Sequence, residues 1–170
     1  MLNEVTMQKN SELCGGCGFY CASCPIHIAY KKGIEYQRKL ASALSQQLKK
    51  TINFTEIQCP GCRQAKDDKD AWSFKCKLRA CVIDKDIDHC GKCDEFPCKM
   101  LSDLSDIYDG IPILQLHELN ENETEKWLEL MEKRWKCQKC SGFIEAGTKK
   151  CGSCNREAKT QVDETIKRSK

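Results

Sequence analysis

Residues 135–154 read WKCQKCSGFIEAGTKKCGSC. Cys137 and Cys140 form one C-x-x-C pair, and Cys151 and Cys154 form a second, ten residues on. A C-x-x-C turn brings two thiols to one side of a tight loop. Two such turns supply the four sulfurs that a tetrahedral Zn²⁺ shell requires. The spacing predicts a zinc ribbon, with each knuckle at the tip of a β-hairpin and Ser141, Gly142 and Gly147 in the turns. A closed four-cysteine shell has no open position, so its expected role is structural. Iron in the rubredoxin manner is disfavoured, because the usual proline-containing pair is absent.

The rest of the chain repeats the theme. Of 15 cysteines in 170 residues, eleven precede the ribbon. Four more C-x-x-C pairs are Cys14/Cys17, Cys21/Cys24, Cys59/Cys62 and Cys90/Cys93, and Cys76, Cys81 and Cys98 stand outside any pair. Two four-cysteine sites would use eight of the eleven. With His27 or His89 added, the ligands would number twelve and allow a third site. His89 directly precedes Cys90, an awkward geometry for shared coordination, and an exposed loop histidine is the simpler reading.

Disulfides are the main alternative. Residues 1–13 contain no apolar segment of the secretory kind, the cysteine count is odd, and adjacent C-x-x-C pairs are poor partners for long-range bridges. Metal ligation in a reducing, cytoplasmic setting is therefore the expectation. No apolar run approaches a membrane span.

Two redox alternatives remain. The order Cys14-x₂-Cys17-x₃-Cys21-x₂-Cys24-Pro25 is close to a ferredoxin run but not identical, and thiolate-only sites accept iron–sulfur clusters as well as zinc. Cys59-Pro60-Gly61-Cys62 could be a redox dithiol, but that needs the first cysteine at a helix N-terminus, and polar residues follow. The inventory otherwise points away from an enzyme: His27, His89 and His117 are the only histidines, and no hydrolase, P-loop or dinucleotide fingerprint is present. The carboxylates around Cys90/Cys93 read as a solvated acidic loop.

Aromatic content is only 7 % and charged residues are 31 %. A core so poor in rings gains from metal cross-links. Net charge is +3; residues 136–170 carry nine Lys/Arg against four Asp/Glu, the remainder 19 against 21. A mixed solvated tail explains this better than an acidic partner.

Apolar periodicity predicts a helix after Pro25, a break at Gly33, and a second helix from about Ile34 to Lys50 with Tyr36, Leu40, Leu44 and Leu48 as its stripe. Residues 51–58 are β-prone and residues 63–70 a polar loop. Residues 71–83 read as one helix with Trp72, Cys76 and Ala80 on a face. Helices are expected after Cys98, ending at Gly110, and from Pro112 to Trp135 with an interruption at Asn120–Asn122; residues 155–170 read as a frayed tail.

Cys17-Gly18-Phe19-Tyr20-Cys21-x₂-Cys24-Pro25, Cys59-x-Gly61-Cys62, Cys76-x₄-Cys81 and Cys90-x₂-Cys93-Asp94-Glu95-Phe96-Pro97-Cys98 together resemble the bacterial and archaeal domain-of-unknown-function family numbered 3795. The resemblance covers residues 14–110, and the tryptophan-cysteine knuckle extends it to about 154. It implies a small, cysteine-rich, metal-binding cytoplasmic protein and no nameable activity. Its pattern takes in Cys17, Cys21, Cys24, Cys59, Cys62, Cys76, Cys81, Cys90, Cys93 and Cys98, and omits Cys14.

The expected fold is a small metal-organised α+β chain: a polar extension (1–13), a mainly helical cysteine-knuckle module (14–110), a helical connector (111–135), a zinc ribbon (136–156) and a charged tail (157–170). The expected function is zinc binding, with several mainly structural ions and a surface for an unknown protein partner. An iron–sulfur or dithiol redox protein and nucleic-acid binding through the basic ribbon and tail are the alternatives.

Overall fold

The computed structural model of the chain describes residues 12–63 and 72–168. The extension at residues 1–11 and most of the polar loop at 63–70 lie outside the described residues. The architecture is mostly helical with one two-stranded antiparallel sheet, a small α+β fold.

Proline at the first helical position favours helix entry, because its missing N–H has no partner there anyway. Helix α1 (Pro25–Lys32) starts that way and stops at Gly33, φ 88°. Helix α2 (Ile34–Leu48) follows at once and ends on left-handed Lys49. The two helices pack on the segment that leads to Cys59, and Ile26, Ala29, Ala41, Ile52, Ile57 and Cys59 make a satellite core. Gln37 Nε2 donates to the Ile57 carbonyl at 2.8 Å and fixes that segment. Leu48 does not join the stripe; it is exposed.

The β-prone stretch at 51–58 does not form a strand. Asn53 and Glu56 close a reciprocal capping box around a 3-10 turn at Phe54–Glu56, and local hydrogen bonds override the β-branched composition. The helix expected across 71–83 is likewise broken. Helix α3 (Trp72–Lys75) ends before Cys76, which is extended (φ −71°, ψ 113°) and caps α4 (Lys77–Asp84).

Helices α5 (Lys99–Ile107), α6 (Ile111–Glu121) and α7 (Thr124–Trp135) form the main scaffold. Their apolar faces meet over Leu101, Leu116, Trp127, Met131 and Trp135, all essentially free of solvent. Inside this core lies an ion pair: Arg134 donates to both carboxylate oxygens of Glu118, at 2.8 and 2.7 Å. Trp127 Nε1 donates to the Gln115 carbonyl at 3.0 Å. With its amide oriented as its neighbours require, Gln115 donates to Gly18 O at 2.7 Å and accepts from Trp135 Nε1 at 2.9 Å. One side chain thus ties the first knuckle to the helix that leads into the ribbon.

Strands β1 (Ile144–Glu145) and β2 (Lys150–Cys151) pair antiparallel, Ile144 opposite Cys151 and Glu145 opposite Lys150. This hairpin is docked on the first knuckle region. The Ala146 N–H donates to Ser23 O at 2.9 Å, and Phe143 meets the Tyr20 ring edge-on. Lys149 reaches Asp109 at 2.9 Å and Asp163 at 2.8 Å.

The tail is a correction to the frayed expectation. Helix α8 (Lys159–Arg168) buries Val162 fully and packs Ile166 against the main core. Apolar residues at 162 and 166 lie one turn apart on a face, a pair too short to stand out in a charged sequence. The main core consequently runs from Cys14 to Val162. Among the described residues no helix is long and apolar enough to cross a membrane.

Candidate metal centre

The ribbon is built from two near-identical turns. Cys137 N–H donates to Gly142 O at 2.6 Å and Ser141 N–H to Cys137 O at 2.9 Å; in the second knuckle Cys151 N–H donates to Arg156 O and Asn155 N–H to Cys151 O, both at 2.9 Å. Each knuckle is followed by a left-handed residue, Ser141 (φ 59°) and Asn155 (φ 57°). Ser141 thus stands in a turn as expected, and Asn155 takes the matching place in the second knuckle. Gly142 is needed for space: a Cβ there would lie 2.5 Å from Ser153 Oγ.

The four ribbon sulfurs all lie within 4.8 Å of one another, a geometry that could hold a metal ion. Cys137 and Cys154 are 3.8 Å apart, and Cys140 and Cys151 3.4 Å. A tetrahedron with Zn–S bonds of about 2.3 Å places its sulfurs about 3.8 Å apart. The backbone prepares the first sulfur of each knuckle for negative charge. The N–H groups of Lys139 and Cys140 bring the Cys137 thiol down to about 6. Burial would raise Cys151, but the N–H groups of Cys154 and Ser153 outweigh it and its thiol is lowered. The first cysteine of each knuckle is thus favoured as thiolate, the form that binds metal.

The other cysteines fall into two gatherings. None of the fifteen, all of them among the described residues, is disulfide-bonded. The first gathering is Cys17, Cys21, Cys24, Cys59 and Cys62. Burial raises the Cys21 thiol far above its ordinary value, and the nearby Cys62, Cys24 and Cys59 raise it further. Burial, then Cys59, pushes Cys24 up to about 12. The second is Cys81, Cys90, Cys93 and Cys98, which line one small cavity. Burial, with Cys98, Cys81 and Cys93 behind it, pushes Cys90 up to about 12. Cys76 sits between the two, close enough to act electrostatically on Cys17, Cys62 and Cys90. Crowded buried thiols with raised values stay protonated unless a cation compensates, and metal binding releases those protons.

Three of these cysteines, Cys24, Cys76 and Cys98, occupy the N-cap positions of α1, α4 and α5, and none uses its side chain to cap. Serine, threonine, aspartate or asparagine usually stands there. A sulfur at each helix start, left out of the capping bond, has no apolar period to mark it in the sequence, although Cys24-Pro25 carries it in plain view.

The histidines divide. His27 Nδ1 lies 2.8 Å from the Cys59 carbonyl, and the ring is buried. It steadies the Cys59–Cys62 knuckle through its backbone. His89 is also buried, not an exposed loop residue, and its Nδ1 has no hydrogen-bond partner among the described residues. Cys14 is fully buried beside Arg63, which donates to its carbonyl at 3.3 Å. The dithiol expectation for Cys59–Cys62 gains no support: left-handed Gly61 (φ 124°) sits between them, and no helix begins before the described residues stop at 63.

No curated protein and no solved structure matches the chain. A family model described as protein of unknown function (DUF3795) matches residues 13–103, more than half of the chain and all eleven cysteines outside the ribbon. The ten cysteines of the sequence pattern and the two gatherings they form lie inside that span, and the chain belongs to the DUF3795 family.

Proposed function

We propose that the protein is a non-enzymatic zinc-binding module, in which metal bound by Cys137, Cys140, Cys151 and Cys154 holds the C-terminal hairpin against a shared core and the assembled surface serves a protein partner. The observation that carries this reading is the spacing of the four sulfurs, which fits a zinc tetrahedron and leaves no position for substrate. Zinc there contributes folding energy directly, because the hairpin has only two residue pairs of sheet to stabilise it. Thiolate-bound metal at the ten family cysteines would do the same for the N-terminal module.

A protein partner fits better than nucleic acid. Of the C-terminal cations, Lys149 is engaged by Asp109 and Asp163, Lys150 pairs with Glu157, and Lys136 with Glu132. Phosphate binding needs cations able to displace counterions, and these three of the nine C-terminal Lys and Arg residues already face carboxylates.

X-ray absorption at the zinc edge on full-length protein purified under nitrogen tests the site. Four sulfur neighbours at about 2.3 Å are expected, and Cys140→Ser should lose this zinc. Protein that folds with no zinc, or zinc bound by oxygen and nitrogen, would overturn the reading.

A further inference from the structure

The second thiol gathering differs from the ribbon in scale. Cys81 comes from α4, Cys90 and Cys93 from a 3-10 turn and its exit, and Cys98 from the start of α5. Four thiols from three elements face one cavity, whose remaining wall is Leu78, Val82, Ile87, Phe96 and Leu101. Among the described residues, only the ribbon brings three or more ligand atoms within 4.8 Å of one another. No three of this cavity's four sulfurs are that close, a looser gathering than the ribbon's.

The interior space agrees. A metal bound to four sulfurs at about 2.3 Å leaves no room for a water-sized sphere at the centre of its shell. The cavity that these four thiols border has a volume of about 20 Å³. Wide thiol spacing around a central space suits a polynuclear centre, in which the sulfurs bind different metal atoms and so stand apart. The surroundings suit it too. Apolar walls keep water from the inorganic core. Lys85 Nζ stands 3.3 Å from Cys93 Sγ, a cationic donor at a ligand sulfur. Cys98 sits at the positive end of α5 with its sulfur left out of capping.

We infer that Cys81, Cys90, Cys93 and Cys98 bind an iron–sulfur cluster, separate from the metal of the ribbon. The inference does not depend on zinc at the ribbon, and the two are distinguished by assaying zinc, iron and acid-labile sulfide separately.

Full-length protein is purified under nitrogen and reconstituted with ferric iron, excess dithiothreitol and sulfide. The expected product is brown and holds iron and acid-labile sulfide in similar amounts. Cys93→Ser and Cys98→Ser should each lose iron and sulfide while zinc occupancy stays unchanged. Lys85→Met keeps all four thiols, so it guards against variants that merely misfold. Removing the cation from Cys93 should lower the midpoint potential in a dithionite titration, and Lys99→Met, whose partner is Asp103, should leave it unchanged. Wild-type protein without bound sulfide, full iron in both cysteine variants, zinc lost from them in place of iron, or a potential indifferent to Lys85→Met would each overturn the assignment.

Discussion

At Gly18 the backbone is left-handed (φ 89°), and a Cβ would lie 2.5 Å from Leu116 Cγ and 2.6 Å from Pro112 O. Both the conformation and the space exclude a side chain, so Gly18→Ala is expected to cost about 2 kcal/mol or more in denaturant unfolding. The Glu118–Arg134 pair is buried at both ends. Arg134→Met leaves a buried carboxylate without its counter-ion and is expected to cost about 3–5 kcal/mol, whereas Glu118→Gln with Arg134→Met should recover part of the loss; chemical denaturation of the three proteins measures the difference. His27 sets an acid limit. Burial lowers its value, and the Cys59 carbonyl only partly opposes that. Unfolded, the ring titrates near about 6.5, so below that the unfolded chain binds more protons and stability falls as pH drops toward the folded value. Urea unfolding above and below about pH 6.5 should show a shallower slope in His27→Gln than in the wild type.

At the scale of elements, the strongest sequence signals are the most faithful. Pro25 and Gly33 bracket α1, Gly33 opens α2, and Asn120–Asn122 lies at the break between α6 and α7. In each case a residue with a hard backbone preference sits where the chain turns. The misread elements were decided by contacts between residues. The capping box at Asn53 and Glu56 beats β propensity, Cys76 stops a helix that periodicity would continue, and α8 exists because Val162 finds a pocket in a core built by distant residues. The ribbon could be read from four cysteines because ligand spacing is itself a distance constraint. The partition of the other eleven could not, since it depends on how α4, α5 and the first knuckle approach one another. Helix α8 offers the test of this reasoning. Val162→Ala is expected to lower stability by about 2 kcal/mol through the cavity it leaves, whereas an unpacked tail would register within about 0.5 kcal/mol; thermal or urea unfolding decides.

Across the whole molecule, the main core joins the first knuckle, the helical scaffold, the ribbon and α8. Aromatic residues are few in the chain, and this core holds Phe19, Tyr20, Trp127 and Trp135 beside four buried cysteines. Cys14, Cys90, Cys137 and Cys151 are themselves core residues. Metal at the ribbon therefore acts on more than the hairpin: the strand residue Ile144 and the connector residues Trp127 and Trp135 share that core. The most direct measurement is near-ultraviolet circular dichroism of the intact chain under nitrogen, before and after a strong chelator has removed the metal. The account predicts that the signal from buried Trp127 and Trp135 collapses with the metal and returns when zinc is restored. A metal-free chain that keeps its full aromatic signal and unfolds at the same temperature would contradict it.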